Sequence, residues 1–373
     1  MPYSLYRYLL SSVIIPFLGI IIFLVSLLLI FQLARVLNLL SGQGLSIMDL
    51  TQFFGSIAMS FLPLVVPLSI FFSVLYGFYK LSGESEFVAM RALGLGNVKL
   101  LAPVLFFGLM SALSLYLLNQ QGIPRAKKYF AVKMGEMRSN QFFSQLKSGQ
   151  FFTEMKDVIL FAERFDSESL KMENVFVQIQ SQNNLKRIIM SDSGRFFWDE
   201  EQGSRVLKVE FFDGNLNSLS PGDQLDKTLF ETYQYPVLQE DILIDESHRA
   251  NAMTHEELQK YLSLSDKELK KMGGSPAYRL RALVEYWDRI NTPFLCLLYT
   301  LIGLCLGIGH FRSRGKNVAF WAISILMGYF SMYFFFVGLA RKGSIEPFLA
   351  VFVPSFALLF FSLLLVRKIN WLS

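Results

Sequence analysis

The chain has 373 residues, of which 53% are apolar, 15% aromatic and only 17% charged. A soluble chain carries about a quarter charged residues, so this composition excludes a disordered protein, a nucleic-acid tail and an ordinary cytosolic enzyme. The net charge of +5 is uneven: residues 121–290 hold 23 Lys and Arg against 26 Asp and Glu, and the rest holds 12 against 4. The basic excess thus belongs to the apolar flanks, where it reads as a topology signal rather than a nucleic-acid footprint.

Uncharged runs mark six spans: Tyr8 to Ala34, Leu50 to Tyr79, Leu100 to Pro124, Ile290 to Phe311, Asn317 to Ala340 and Pro347 to Val366. About 20 apolar residues cross a bilayer as a helix, and lipid demands that each backbone amide be satisfied within its segment. The predicted fold class is a membrane α-helical protein of six transmembrane helices, three plus three, with an inserted antiparallel β-jellyroll-like domain. Residues 1–121 carry the first three helices, 122–275 the insert and 276–373 the last three. The first run, preceded by Arg7, is too long for a signal-peptide core and lacks an A-x-A site, so it reads as a retained helix.

Lys and Arg in short loops set the orientation. Arg7, Lys80, Arg91, Lys99, Arg312, Arg314, Lys316, Arg367 and Lys368 fall on one side; Arg35, Arg341 and Lys342 fall on the other. Both termini are expected in the cytoplasm and the insert outside, which is the periplasm if the cell is Gram-negative.

Between spans two and three runs Leu81-Ser82-Gly83-Glu84-Ser85-Glu86-Phe87-Val88-Ala89-Met90-Arg91-Ala92-Leu93-Gly94. Ser82 is placed to cap a short helix over about 82–95, with Glu84 and Glu86 in its first turn and Gly94 at its end. Phe87, Met90 and Arg91 share one side by helical spacing. Such an amphipathic helix in a minimal loop suits docking; the plainer alternative is a capped connector.

The insert opens with a helical stretch, 122–147, that continues the third span. Over 149–235 the pattern changes to period two: Val175, Val177 and Ile179, then Leu207, Val209 and Phe211, alternate with other residues. Turn signals stand at Asn183-Asn184, Asp192-Ser193-Gly194, Asp213-Gly214-Asn215 and Pro221-Gly222-Asp223. With Phe151, the alternating positions are first of all a β core. Thr254 with Glu257 begins a helix over 254–272 that Gly273-Gly274 stops.

Both cysteines, Cys296 and Cys305, sit in span four, so the insert must fold on its own apolar surface and the pair reads as buried packing. His248, His255 and His310 form no ligand spacing, and no phosphate loop or catalytic triad stands out. The cores of the six spans, inside their end residues, hold no Asp, Glu, Lys, Arg or His. An ion-coupled carrier ordinarily needs one, so any energy input is expected from another subunit.

The segment Ser85-Glu86 to Gly94 resembles the S-E-x-x-x-[ML]-R-A-x-G stretch of the lipopolysaccharide-export permeases of the LptF/LptG (YjgP/YjgQ) family. Pro63-Leu64-Val65-Val66-Pro67-Leu68, Gly149-Gln150-Phe151 followed by Val158 to Ala162, Asp213-Gly214, Arg279-Leu280 and Pro293 resemble further stretches of that family in the same order. The resemblance implies a permease that pairs with a paralogous permease and docks on a dimeric cytoplasmic ATPase. It would lift lipopolysaccharide onto a periplasmic jellyroll bridge protein, which has its own membrane-anchored assembly factor. No nucleic acid, metal, cofactor or catalytic residue is implied in this chain; ATP-Mg would belong to the ATPase. Glu84, Glu86, Phe87, Met90, Arg91 and Gly94 would form the coupling helix. Arg35, with Arg341 and Lys342 more weakly, would meet a lipid headgroup or snorkel to the interface. Phe31, Phe330, Phe334 and Val337 would gate the acyl chains, or simply face lipid. Phe151, Val175, Val177, Leu207, Val209 and Phe211 would also form an apolar β-groove. A rival reading is an ATPase-docked protein that transmits motion without carrying lipid. An accessible lipid-sized cavity would favour export.

Overall fold

The computed structural model describes residues 3–40, 46–93, 95–155, 158–167, 169–180, 186–201, 204–219, 225–239, 250–264, 276–309 and 316–370. Two compact units emerge: a helical one, Met1–Val36, Ser46–Phe130 and Ser247–Ser373, and a second made of Leu37–Leu45 and Ala131–Glu246.

The helical unit holds α1 (Tyr3–Leu40, except its end), α2 (Ile47–Gly83), α3 (Glu86–Ala92) and α4 (Asn97–Leu117). A π-helical turn, Leu118–Gly122, leads into α5 (Ile123–Gln145), which begins in this unit and ends in the other. After the insert come α6 (His255–Ser263), α7 (Pro276–Gly309), α8 (Lys316–Arg341) and α9 (Pro347–Asn370). Six of these helices are long and apolar enough to cross a membrane, as the six uncharged runs predict.

Helix α7 is the buried axis of the unit, packed against α2, α4, α8 and α9. Its Gly303 and Gly307, four residues apart, let α2 come close. A Cβ on Gly307 would stand 2.7 Å from Phe78 Cβ, and one on Gly303 3.0 Å from the Phe71 carbonyl. Small residues at this spacing are how helices approach in lipid, where no hydrophobic force drives them together. Cys296 and Cys305 are free and buried on α7, in the packing role expected of them.

Helix α7 is longer than the uncharged run it holds: the apolar helix covers Ala277–Ile308 and carries Glu285, Asp288 and Arg289 ahead of Ile290. Partners from neighbouring elements receive these charges.

The second unit is a six-stranded antiparallel sheet with strands in chain order: β1 (Phe151–Met155), β2 (Val158–Asp166), β3 (Lys171–Gln180), β4 (Lys186–Glu201), β5 (Ser204–Leu219) and β6 (Leu225–Gln239). The jellyroll-like insert is therefore present as one continuous sheet with a buried inner face. Register sets that face: Phe152 pairs Leu160, Leu160 pairs Val177, Val177 pairs Ile189, and Ile189 pairs Leu216.

Two expected turns are not turns. Asp192-Ser193-Gly194 lies within β4 and Asp213-Gly214-Asn215 within β5. Asp213 takes a positive φ of 52°, tolerated by its short polar side chain. A Cβ on Gly214 would collide with the Met190 carbonyl and the Phe230 ring, so this glycine serves close strand approach. Asn183-Asn184 and Pro221-Gly222-Asp223 lie outside the described residues.

Helix α6 starts as predicted. The Thr254 hydroxyl accepts from the Glu257 N–H at 3.3 Å, and the Thr254 N–H donates to Glu257 Oε2 at 2.7 Å. It ends at Ser263, where Leu264 turns extended, rather than at 272. Residues 265–275, with Gly273-Gly274, lie outside the described residues.

Candidate functional site

The loop between α2 and α4 holds the predicted docking helix with altered boundaries. Ser82 is no cap: it is buried in the last turn of α2, and its hydroxyl has no partner. Glu84 caps the C-terminus of α2, so only Glu86 stands in the first turn of α3. Ser85 makes the break between the helices at φ 60°. Phe87 and Met90 point inward, into a core with Phe78, Leu81 and Leu100. Arg91 points away from them, exposed with Glu84, Val88 and Leu93. The sequence reading grouped Phe87, Met90 and Arg91 on one side; their burial separates them. Gly94 lies outside the described residues.

The first turns of α1 join this assembly. Leu9 and Val13 are buried in the same core as Phe87 and Met90. The Tyr8 hydroxyl donates to Glu86 Oε2 at 2.6 Å. A Cβ on Gly77 would come within 2.7 Å of the Ser12 carbonyl, so α1 and α2 cross there with nothing between them. Further along, α1 loses its cover: Ile15, Leu18, Ile22, Phe23, Ile30 and Phe31 are all exposed.

An apolar groove of about 550 Å³ opens beside this free stretch. Ile20, Phe23 and Leu24 of α1, Phe72, Leu75, Tyr76 and Tyr79 of α2, and Val318 and Ala319 of α8 line it. Its walls come from spans one, two and five, and none of the expected gate residues Phe31, Phe330, Phe334 and Val337 lines it. Phe334 is exposed and stacks on the partly buried Phe330 at 6.2 Å. Val337 turns inward, packing with Val284, Ala340 and Val351, so it does not continue their stripe. Phe31 is exposed on α1 and lies outside the groove lining.

Of the headgroup residues, Arg35 lies on α1, but its side chain is outside the described residues. Arg341 and Lys342 are exposed at the α8–α9 turn. Gly343, at φ 77°, closes that turn by donating its N–H to the Ala340 carbonyl.

A polar network that the sequence reading missed crosses the bundle. Glu285 receives Arg289 Nε at 3.2 Å and Lys127 Nζ at 3.8 Å. Arg289 Nη2 donates to the Ala250 carbonyl at 3.1 Å, and the Arg289 carbonyl accepts from Asn119 Nδ2 at 3.2 Å. Tyr333 donates to Asp288 Oδ1 at 2.8 Å; Ser355 donates to Asn291 Oδ1 at 2.7 Å. The π-turn at Leu118–Gly122 carries Asn119 into this network. The signal was present in Glu285, Asp288, Arg289 and Thr292, spaced three, one and three residues apart along one helix face.

In the sheet unit, Val175, Val177, Leu207, Val209 and Phe211 are all buried on the inner face, as expected. Phe151 is not: it is 63% exposed and packs on Phe161 at 4.8 Å on the opposite face, while Phe152 points in. A strand's parity is lost by a one-residue error. The inner face is no open groove. Phe142, Phe143 and Leu146 from the end of α5 pack on it, and Phe142 meets Phe152 at 5.2 Å and Phe196 at 5.6 Å edge-on.

Among the described residues no group of His, Cys, Asp and Glu could hold a metal ion. The surfaces suit apolar chains and ionic docking. A family model described as the lipopolysaccharide export system permease LptF/LptG matches residues 7–368. No curated protein matches the chain.

Proposed function

The chain belongs to the lipopolysaccharide export permease family LptF/LptG, and from that membership we propose that it takes lipopolysaccharide out of the inner membrane's outer leaflet. It is a multi-pass inner-membrane transport permease. In this reading a partner ATPase drives it, a paralogous permease completes the cavity, and the sheet domain hands cargo to a periplasmic jellyroll bridge.

The observation that carries the reading is the apolar groove of about 550 Å³ between α1, α2 and α8; with Tyr79 beside Lys80 and Val318 near Lys316 it lies towards the expected cytoplasmic ends of α2 and α8, so it suits acyl chains and not the headgroup of an outer-leaflet lipid. Its volume falls within the roughly 300–1,000 Å³ of sites that enclose small ligands. It also favours export over pure transmission of motion, which needs no such space. Glu84 and Arg91, exposed around α3, offer charges for an ATPase surface. Glu86 ties that helix to Tyr8, so displacement of α3 would pull the base of span one, and the unpacked stretch above would open or close the groove. The buried inner face of the sheet means that cargo crossing it must first displace Phe142 and Phe143.

The test is site-specific photo-crosslinking in cells with the probe at Phe23, on the groove, and at Phe106, on an exposed face of α4 outside the groove. Lipopolysaccharide adducts at position 23 that require ATP hydrolysis, with none at position 106, support export. Equal labelling at both, or labelling indifferent to ATP in an assembled complex, would leave the mechanical reading.

A further inference from the structure

Asp288 opens onto a second cavity, of about 140 Å³, between α2, α7 and α8. Among the described residues no Lys or Arg lines it, though Asp288 also borders a smaller pocket with Lys127 and Arg289. Tyr333 bonds the carboxylate, Thr292 is one turn on, Tyr329 and Tyr299 line the cavity further along, and Pro67 of α2 closes one side. Among the described residues Asp288 has no ion pair; the nearby Arg289 and Lys127 are both taken by Glu285. Its described hydrogen bond is the one from Tyr333. Tyr299, 1% exposed, lines the far part of the cavity, and among the described residues its hydroxyl has no partner. An unpaired carboxylate in an apolar bundle is costly, and a cation that carries several N–H donors relieves it.

From this geometry we propose that the cavity binds the primary ammonium of an ethanolamine phospholipid. The Tyr333 ring, with Tyr329 stacked on it at 6.1 Å, beside one carboxylate is the chemistry that selects an ammonium, by charge and by cation–π attraction. A phosphate would be repelled, and among the described residues no group of His, Cys, Asp and Glu forms around Asp288 to hold a metal ion. The space equals roughly four to five waters at about 30 Å³ each, which suits an ethanolammonium group. The depth is also right. The uncharged part of α7 runs from Ile290 to Gly309, long enough to cross the hydrocarbon, and Asp288 stands just outside it at headgroup level. The apolar groove shares α2 and α8 with this cavity but lies towards their other ends, at Phe72–Tyr79 against Pro63–Leu68 on α2. A lipid with its ammonium at Asp288 would lay its acyl chains along the α2–α8 seam towards that groove. The inference goes beyond lipopolysaccharide export and needs only the membrane placement of these helices.

The experiment is native mass spectrometry of the full-length protein extracted from bilayers of equal phosphatidylethanolamine and phosphatidylglycerol. Wild type should retain the ethanolamine lipid about tenfold over the glycerol lipid, the scale of a desolvated cation–π contact with its ion pair. Asp288→Asn, which keeps an acceptor for Tyr333, should abolish the preference without changing yield or melting temperature. Tyr299→Phe, which removes a hydroxyl about three helical turns from Asp288, should leave it in place. Equal retention of the two lipids by wild type, or an undiminished preference in Asp288→Asn, overturns the proposal. Because the readout is lipid retention and not export, its failure leaves the permease reading standing.

Discussion

Tyr8 and Glu86 are 78 positions apart, yet their 2.6 Å hydrogen bond joins the base of span one to the docking helix. Bonds to charged acceptors are worth about 1.5–3 kcal/mol when partly shielded, less here because the pair is exposed. Tyr8→Phe should therefore leave folding intact and reduce lipopolysaccharide released per ATP hydrolysed in proteoliposomes. Unchanged stoichiometry would mean that the buried Leu9 and Val13 contacts carry the link alone. Gly77 is the harsher test. Any side chain there meets the Ser12 carbonyl at 2.7 Å, backbone that cannot swing aside. Gly77→Val should cost about 1–3 kcal/mol of overpacking and lower the melting temperature of the purified protein.

Among the elements, α6 shows how local chemistry and tertiary contact combine. Its capping box satisfies two helix-end groups, and Thr254→Ala should cost about 1 kcal/mol, seen as faster hydrogen exchange across His255–Ser263. The Thr254 N–H holds the Glu257 carboxyl below its ordinary value of 4.5. That contribution is full above pH 4.5 and is lost as pH falls through the depressed value. Burial, then the Arg289 charge, lowers the His255 pKa from its ordinary 6.5, and the ring stacks on Tyr286 at 5.3 Å. A depressed histidine stabilises above pH 6.5 and loses that stability as the pH falls below it. Both groups act in the same sense, so the protection factors of α6 amides, which correct for the slower intrinsic exchange in acid, should fall as pH drops from 7 towards 4. His255→Gln should remove the upper part of that dependence and leave the lower.

On the scale of the whole molecule, the sheet unit closes its core with its own residues. Phe142, Phe152, Phe165 and Phe196 interlock with the inner faces of β2 to β5. A fragment of residues 131–246 should therefore fold alone, giving a β-rich circular dichroism spectrum and one cooperative melt. Phe142→Ala should lower its stability by about 3–5 kcal/mol, the range for removing a buried aromatic ring. A fragment that melts without cooperativity would mean that this core depends on the helical unit.

The sequence by itself determined the six spans, the sheet insert and the packing roles of Val175, Val177, Leu207, Val209 and Phe211, because length and periodicity are local properties of a chain. It also held the capping box at Thr254, whose partners are three residues apart. What it could not decide was what each side chain meets across the fold. Phe151 and Phe152 are both apolar, and only pairing with β2 tells which one points inward. Phe87 and Arg91 share a helix face in a spacing diagram, but the core against α2 and α4 takes one and leaves the other outside. Asp288 and Arg289 stand just before an uncharged run, which made them look like a boundary. Asp288 became a bundle residue because Tyr333, 45 positions away, brings a hydrogen bond to it. Charge in a membrane is tolerated where tertiary partners stand, and their positions are set by packing rather than by sequence neighbours.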